Sequence, residues 1–366
     1  MKRCLLGALL VGLIASGVGR ADDLWGLKKG TPELKSAQVL TFGPDGILLI
    51  GDAKAATVFA VATGETRGDA SKVSIDVADL AGNVAKALDV AVADVQINDL
   101  AVNPKSGSVY VSVTRGGSDA AIVRVAADGS IAQVSLKNVE FSKAALPDAP
   151  EDKVVQRGRR RSNPRMDSIT DLAYVDGRVI VSGLASGSSP SSIREIAFPF
   201  VEADAGSRVE IYHGAHGKYE DYSAIRTFVP FNINGKPSLL AGYVCTPLVK
   251  FPLSSLKSGE KTRGTTVAEL GNRNRPLDMI VYEKDGASFL LLANSARGVM
   301  KVSTENIATN TGITSRVSGG GTAGQTYETI AALDGTVQLD KLNSGHAVVL
   351  IQKDGGKADL KTVALP

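Results

Sequence analysis

The feature that most constrains the fold of this chain is a short unit of strand, tight turn and strand that recurs along its length. The clearest copy runs from Ile97 to Ser112 and turns at Asn103–Gly107. Similar hairpins follow at spacings of roughly fifty to seventy residues, a period typical of propellers and other repeat arrays. Several of them turn on Asp-Gly or Asn-Gly pairs, which are strong local signals for a hairpin.

Six consecutive segments each divide into four short strands rich in Val, Ile, Thr and Tyr, the residues that pleated sheets favour. Four-stranded sheets repeated around an axis form a β-propeller, which protects its sheet edges by radial repetition. The sequence therefore predicts an all-β fold, a six-bladed β-propeller with four-stranded blades. A large β-sandwich has similar turn spacing, but the recurring hairpin favours the propeller. In this assignment the fourth strand of the first blade is Val73–Val77, that of the fifth blade is Ile313–Val317, and the sixth blade begins at Thr329–Leu333.

Two insertions interrupt the pattern of strands. Asp79–Leu88 has apolar residues at helical spacing, which predicts one short helix. Asn138–Asp167 is a long connector with three prolines and a local basic run. A solvated loop and an anion-docking patch are both compatible with that run. Its arginines are Arg157, Arg159, Arg160, Arg161 and Arg165.

Residues 1–21 have the three parts of a secretory signal peptide. Lys2 and Arg3 give the positive start, Leu5–Ile14 gives the apolar stretch, and Ala21 is a small residue suited to a cleavage site. The apolar stretch is too short for a stable membrane anchor. We therefore expect an exported, soluble protein, periplasmic or secreted, in which residues 22–366 form a single propeller domain. We also expect it to be a monomer.

The charge balance argues against one class of partner. The chain has 41 lysine and arginine residues and 38 acidic residues, and Lys2, Arg3 and Arg20 belong to the segment expected to be removed. The remaining charges cancel, so neither nucleic acid nor an anionic membrane is an expected partner. Cys245 would be the only cysteine left after cleavage, which leaves no partner for an internal disulfide.

The loops of a propeller sort onto two faces, because successive strands of a blade run in opposite directions. The connections from second to third strand and from blade to blade share one face, and these loops hold most of the residues able to bind a ligand. Polar groups that converge on one concave face are the default hypothesis for a site. Arginines there suit a carboxylate or phosphate, unless they pair with nearby aspartates such as Asp278. The predicted ligand-binding residues are His213, His216, Asn274, Arg275, Arg297 and His346.

One pattern on this face is the His-x-x-His pair of His213 and His216, with Glu210 and Glu220 nearby and Cys245 or His346 as candidate neighbours. Imidazole and thiolate ligands suit zinc or copper. The histidines flank a glycine-containing loop and not a helix that would fix their spacing, so a structural or merely exposed pair is the alternative. Cys245 stands among apolar residues, which favours a small buried side chain over a nucleophile.

A second convergence involves Asp99, Asp171 and Asp278, which occupy the same place in three repeats, at the start of the innermost strands. Because the first strand of each blade lines the central channel, these carboxylates could approach one another at its mouth. Oxygen ligands of this kind suit Ca²⁺. The alternative is that each aspartate caps its own turn or accepts hydrogen bonds from neighbouring backbone N–H groups.

The hairpins at Asn98–Tyr110, Thr170–Val181 and Leu277–Leu292 resemble those of six-bladed propellers of the NHL and SMP-30/gluconolactonase-like kind, over most of the mature chain and at the level of architecture. That resemblance implies a ligand- or protein-binding scaffold, or a calcium-dependent lactonase with one metal held at the channel mouth by positions comparable to Asp99, Asp171 and Asp278. Two functions follow. One is binding of a small molecule or protein on the His/Arg face. The other is a metal-dependent hydrolase with calcium or a transition metal at the channel mouth.

Overall fold

A computed structural model describes residues 25–157, 160–353 and 357–366, and the predicted signal peptide lies outside those ranges. Six antiparallel sheets surround a central channel, and the first strand of each contacts the first strands of two neighbours. The all-β, six-bladed fold predicted from the sequence is therefore confirmed: three blades have four strands, and the other three have one or two more. In the described part of the chain no helix has the length and apolar character needed to cross a membrane.

The strands of the first half of the chain run up to the hairpin in the long connector. In chain order they are β1 (Lys28–Gly30), β2 (Val39–Phe42), β3 (Ile47–Asp52), β4 (Thr57–Ala62), β5 (Asp76–Val77), β6 (Val95–Val102), β7 (Val109–Arg115), β8 (Asp119–Val125), β9 (Ile131–Gln133), β10 (Val139–Ala145), β11 (Val155–Arg157) and β12 (Arg160–Ser162).

The second half of the chain contains the strands of the remaining four blades. They are β13 (Asp171–Val175), β14 (Arg178–Leu184), β15 (Ser191–Ala197), β16 (Ser207–His213), β17 (Lys218–Glu220), β18 (Thr227–Ile233), β19 (Lys236–Gly242), β20 (Pro247–Pro252), β21 (Lys261–Arg263), β22 (Thr265–Leu270), β23 (Pro276–Lys284), β24 (Ala287–Asn294), β25 (Gly298–Ser303), β26 (Thr322–Gly324), β27 (Tyr327–Thr329), β28 (Thr336–Lys341), β29 (His346–Gln352) and β30 (Ala358–Ala364).

Helical structure in the described ranges consists of one α-helix and several single 3-10 turns. The helix α1 (Leu80–Leu88) confirms the predicted insertion: the Asp79 side chain accepts a hydrogen bond from the Gly82 N–H, and Leu80, Val84 and Leu88 are buried against blades 2 and 6. An acceptor at this position satisfies one of the free N–H groups of the first turn. The 3-10 turns are Pro44–Gly46, Ala70–Lys72, Val92–Asp94, Pro164–Asp167, Leu253–Ser255, Ser318–Gly320 and Ala331–Leu333.

We number the blades by the order in which their innermost strands occur in the chain. From the channel outwards, blade 1 is β2-β3-β4-β10-β1, blade 2 is β6-β7-β8-β9 and blade 3 is β13-β14-β15-β16-β17, with β21 parallel to β16. Blade 4 is β18-β19-β20-β22-β26, blade 5 is β23-β24-β25-β27 and blade 6 is β28-β29-β30-β5. Apolar side chains from adjacent blades fill the spaces between them, as between blades 1 and 3, where Leu49 and Val58 pack in one cluster with Val179 and Val181.

The order of the blades around the ring differs from their order in the chain, because blade 2 lies between blades 6 and 1. The predicted fourth strand of blade 1, Val73–Val77, is therefore wrong: β5 pairs with β30 and completes blade 6. The Ile75 N–H donates to Thr362 Oγ1 at 2.8 Å, and the Thr362 N–H donates to the Ile75 carbonyl at 2.7 Å. Blade 1 is completed by β10, which comes from the predicted connector.

The predicted limits of blades 5 and 6 also need correction. The fourth strand of blade 5 is β27 and not Ile313–Val317. The N–H of Ile313 donates instead to the Thr266 carbonyl in blade 4, and the N–H of Val317 donates to the Gly214 carbonyl in blade 3. Blade 6 begins at Thr336 and not at Thr329–Leu333, a segment that ends in a 3-10 turn. This shift of one strand changes which loops of blade 6 lie on which face.

Candidate metal centre

Five of the six predicted ligand-binding residues lie at one end of the ring, which we call the crossover end. It carries the loops between the second and third strands of each blade and the connections between blades. His213 and His216 lie in the β16–β17 turn, Asn274 and Arg275 precede β23, and Arg297 lies between β24 and β25. The sequence therefore places these five on one end correctly.

His346 is the exception, and its predicted place on this face is wrong. It begins β29 directly after the turn from β28, so it lies at the opposite end of the ring. The error follows from starting blade 6 one strand too early. His346 is exposed, and its Nδ1 lies 3.2 Å from Asn343 Oδ1.

The two remaining histidines are held by a tight turn. The Gly217 N–H donates to the His213 carbonyl at 2.8 Å and closes the turn, with Gly217 at a φ of 68° that glycine adopts readily. The buried carboxylate of Glu269 accepts a hydrogen bond from the Gly214 N–H and so fixes the start of the loop. The imidazole rings of His213 and His216 lie 3.8 Å apart between centroids.

One buried carboxylate orients both imidazoles. His213 Nδ1 lies 2.9 Å from Glu220 Oε2, and His216 Nδ1 lies 2.7 Å from Glu220 Oε1. Burial alone would raise the pKa of Glu220, but hydrogen bonds from His213, Tyr222 and His216 lower that pKa to about 2. An ionised carboxylate only accepts hydrogen bonds, so each imidazole must donate from Nδ1. In the neutral form, each Nε2 is then left with a free lone pair.

His213 Nε2 is the most informative atom of the site. The His213 side chain is 4% exposed, and this nitrogen has no hydrogen-bond partner among the described residues. A buried polar atom without a partner is unfavourable by about 1–3 kcal/mol. Such atoms call for an explanation, and an absent ion is one of the standard ones.

Cys245 approaches the histidines from blade 4. It lies in the β19–β20 turn, where Cys245 and Thr246 have φ values of 64° and 49°, a conformation that is strained for a β-branched residue. The turn is held from blade 5: the Cys245 N–H donates to the Asn274 carbonyl at 2.9 Å, and Asn274 Nδ2 donates to Thr246 Oγ1 at 3.1 Å. Asn274 is thus a positioning residue for the thiol.

His213, His216 and Cys245 each offer a ligand atom, and these three atoms lie within 4.8 Å of one another. A tetrahedral zinc ion, with Zn–N of about 2.0–2.1 Å and Zn–S of about 2.3 Å, needs ligand atoms about 3.5 Å apart. His216 is exposed and Cys245 is partly exposed, and a bound ion would have to draw their ligand atoms closer to buried His213. The donor set therefore fits a metal ion, and Glu220 is the outer carboxylate that such histidines usually have.

The three ligands line a cavity of about 700 Å³, within the range of small-molecule sites. Its other walls include Tyr222, Val244 and Arg226, and the β11–β12 hairpin contributes Val155 and Ser162. Part of the basic connector predicted from the sequence thus lies beside the cavity, although residues 158–159 are outside the described ranges. A metal bound by three protein ligands would have its fourth position open towards this space.

The remaining predicted residues of the crossover end have other roles. Arg297 Nη1 donates to the Asn272 carbonyl at 3.1 Å and its guanidinium packs against Gly271, so it braces the loop that carries Asn274. Arg275 lines the central channel and forms no ion pair with Asp278 among the described contacts. Of Arg275 and Arg297, Arg275 is the one that lines the central channel.

Asp99, Asp171 and Asp278 do line one central cavity of about 480 Å³, together with Asp340, which was not identified from the sequence. Each carboxylate accepts hydrogen bonds from the backbone, including one from the first strand of the next blade. The four donors are the N–H groups of Leu40, Phe228, Leu339 and Val102 for Asp99, Asp171, Asp278 and Asp340 respectively, at 2.7–2.8 Å.

These contacts match the alternative in which each aspartate ties neighbouring backbone together. In the described ranges, only His213, His216 and Cys245 form a group of three close ligand atoms. Burial raises the pKa of Asp171 to about 7 and that of Asp340 to about 6. Burial also raises the pKa values of Asp99 and Asp278 well above the usual range, and the other channel aspartates add to that rise. The channel thus holds carboxyl groups that accept protons near neutral pH.

Sequence reasoning missed three residues that matter here. Asp340 has the same contacts with backbone N–H groups as the others, but the sequence-based start of blade 6 at Thr329 did not place it in an innermost strand. Arg226 and Asp167 form an ion pair at 2.8 Å that lines both cavities, and they come from segments that carry no motif.

No protein-family model and no curated protein sequence matches the chain. Among solved structures, it is similar to an oxidoreductase (glucose dehydrogenase) of Thermus thermophilus, with 15% identity, a TM-score of 0.36 and coverage of 92% of this chain and 100% of that one. The PQQ-bound aldose sugar dehydrogenase of Streptomyces coelicolor gives 10% identity, a TM-score of 0.27 and coverage of 92% and 96%. A 6-phosphogluconolactonase of Bacteroides uniformis gives 11% identity, a TM-score of 0.35 and coverage of 87% of this chain and 74% of that one. Similarity at this level says nothing of what this chain binds.

Proposed function

We propose that this protein is an exported propeller that binds a thiophilic transition-metal ion, Zn²⁺ or Cu⁺, through His213, His216 and Cys245. The ion would present its open coordination position to a small molecule in the adjoining cavity. The observation that carries the proposal is the buried His213 Nε2, which has no partner among the described residues, on a side chain that offers a ligand atom within 4.8 Å of ligand atoms of His216 and Cys245. Export rests on the signal-like residues 1–21 alone.

The donor chemistry favours these ions over calcium. One thiolate and two imidazoles are soft or borderline ligands, which select zinc and copper, whereas calcium takes six to eight oxygen ligands. Glu220 supports the site from outside, because it fixes the Nδ1–H tautomer of both histidines and adds a negative charge behind them. Binding of a metal would give His213 Nε2 the partner that it lacks.

Metal titration of the purified full chain, cleared of metal with a chelator, tests the proposal. We expect one Zn²⁺ per chain, and we expect Co²⁺ to give the intense near-ultraviolet absorption of a cobalt–thiolate bond. Cys245→Ser should abolish that absorption. His346→Gln is the matched control, since it removes an exposed histidine at the opposite end of the ring. A wild-type chain that takes up no more zinc or cobalt than Cys245→Ser would refute the assignment.

Glu220→Gln should weaken metal affinity by about 10–100-fold, the usual effect of losing an outer carboxylate. The amide keeps one oxygen acceptor for one imidazole, but its NH₂ group opposes the Nδ1–H of the other and favours the wrong tautomer. Competition with a zinc-binding dye measures the change. Circular dichroism of the metal-free variant checks its fold, and an unchanged affinity would remove Glu220 from the site.

The open position also supports a second function, metal-dependent hydrolysis. A bound Zn²⁺ would lower the pKa of its bound water and so supply a nucleophile. The cavity of about 700 Å³ has room for a substrate beside it. Hydrolysis of a chromogenic ester by zinc-loaded protein, lost in Cys245→Ser and retained in His346→Gln, would support this function. Hydrolysis that needs no metal and is blocked by iodoacetamide would point instead to Cys245 as a nucleophile.

A further inference from the structure

The central channel and the metal-side cavity share one wall. Arg226 and Asp167 line both spaces, and their side chains are joined by the Nη1–Oδ1 contact at 2.8 Å. Arg275 lines the channel next to this wall and is accessible from the channel. The two cavities therefore meet at a place where two guanidinium groups and one carboxylate come together.

The charges at this wall do not balance. Partial burial lowers the pKa of Arg275, the positive charge of Arg226 lowers it further, and only Asp167 acts in the opposite direction. The described contacts give Arg275 no ion pair, and Asp167 pairs with Arg226. Both guanidinium groups line the channel, where like charges repel each other, and an added anion would relieve that repulsion.

Hydrogen-bond donors are also left over at the wall. Arg226 uses Nη1 on Asp167, but its Nε is buried and has no partner among the described residues. The Arg226 side chain is only 20% exposed, so little water reaches this donor. Guanidinium groups bind carboxylate and phosphate oxygens in pairs of parallel hydrogen bonds. A bound oxyanion would supply the acceptor that Arg226 Nε lacks.

We propose that Arg226 and Arg275 form a subsite for an oxyanion, a carboxylate or a phosphate group, at the wall between the two cavities. A ligand held there by its anionic end could extend through the metal-side cavity towards His213, His216 and Cys245. As a statement about the ligand of the metal centre, this rests on the proposed function. As an anion site, it stands on the two arginines alone.

Two neighbouring arginines do not belong to the proposed subsite. Arg273 is exposed at the crossover end and lines neither cavity, and Arg297 is used to brace a loop. Arg273→Gln is therefore a matched control that removes the same charge from the same end of the molecule. The variant Arg275→Gln removes a cavity guanidinium that has no ion pair among the described contacts, so it should leave the fold intact.

The experiment measures binding of inorganic phosphate and of acetate by calorimetry, in metal-free protein at constant ionic strength. We expect at least one of the two anions to bind, and Arg275→Gln to weaken that binding by about tenfold or more. We expect Arg273→Gln to bind as the wild type does. The two probes distinguish the sources, since a phosphate site and a carboxylate site would prefer different anions.

The outcome separates this subsite from the metal centre. In Cys245→Ser protein, anion binding should persist, because the substitution replaces only the thiol, and the described side-chain contacts of Arg226 and Arg275 do not include that thiol. Equal losses in Arg273→Gln and Arg275→Gln would show a general charge effect and overturn the proposal. Anion binding that appears only after zinc is added, and is indifferent to Arg275→Gln, would place the anion on the metal and overturn it too. Failure to bind either anion would do the same.

Discussion

Zinc at a thousandfold excess over its dissociation constant is expected to raise the melting temperature of the metal-free protein by about 5 °C. A ligand that binds only the folded state at that excess stabilises it by about 4 kcal/mol. Unfolding entropy scales with chain length, so in a chain of this size each kcal/mol shifts the midpoint by only about 1–2 °C. Thermal unfolding followed by circular dichroism, with and without zinc, measures the shift.

The same measurement on variants shows where the ion acts. Cys245→Ser removes one of the three ligands and should lose most of the shift, while its metal-free midpoint stays close to that of the wild type. His346→Gln should keep the full shift, because His346 lies at the opposite end of the ring. A shift of equal size in Cys245→Ser would mean that zinc stabilises the protein elsewhere.

The second large effect is expected from pH. Stability should fall as the pH rises from about 4 to about 7, by an amount on the order of 6 kcal/mol from Asp171 and Asp340. In the folded protein burial raises the pKa of Asp171 to about 7 and that of Asp340 to about 6, from an ordinary value of 3.8. A carboxyl whose folded pKa is raised gives its full stabilisation below its unfolded pKa and loses it as the pH rises through the folded pKa.

Glu220 does not oppose this trend within the same window. Its pKa is lowered to about 2, so its contribution is present above the ordinary glutamate value of 4.5 and is lost only at more acid pH. Between about pH 4.5 and 7 the channel aspartates therefore contribute most of the slope, and Glu269, whose pKa is also raised by burial, adds to it in the same direction. Urea unfolding at a series of pH values gives the free energy of unfolding directly.

Asp171→Asn tests the assignment. The amide cannot ionise, so the fall between about pH 4 and 7 should become shallower, although the loss of one hydrogen-bond acceptor lowers overall stability by about 1 kcal/mol. Asp128→Asn is the control, because Asp128 is an exposed turn residue whose pKa is lowered by hydrogen bonds from Ser130. The assignment fails if the wild-type free energy is flat across this range, or if both variants keep the same slope.

Hairpin signals in the sequence were sufficient to predict a six-bladed fold, since Asp-Gly and Asn-Gly turns specify strand pairs locally. They could not predict the outer strands. Asp76–Val77 and Val139–Ala145 join sheets whose inner strands lie far away in the sequence, and no local pattern indicates that partner. The early start assigned to blade 6, at Thr329, then misplaced His346.

The candidate site was predictable in part. His213, His216 and Glu220 lie within eight residues of one another, so their proximity follows from one tight turn. Cys245 joins them only through the packing of blades 3 and 4, which the spacing of residues cannot give. Arg226 and Asp167 could not be predicted for a similar reason. A single arginine before a strand and a single aspartate in a 3-10 turn form no sequence motif, and their ion pair exists only because the fold brings them together.

The placement of β5 and β10 has a consequence for how this protein reaches its native state. Blade 6 needs a strand made near the beginning of the chain, and Ile75 and Thr362, which pair there, are separated by 287 positions. Contacts of such long range impose a large entropic penalty on closing the ring, so they are expected to form late. Until the C-terminal residues have emerged, blade 6 lacks its inner strands and blade 2 lacks one neighbour.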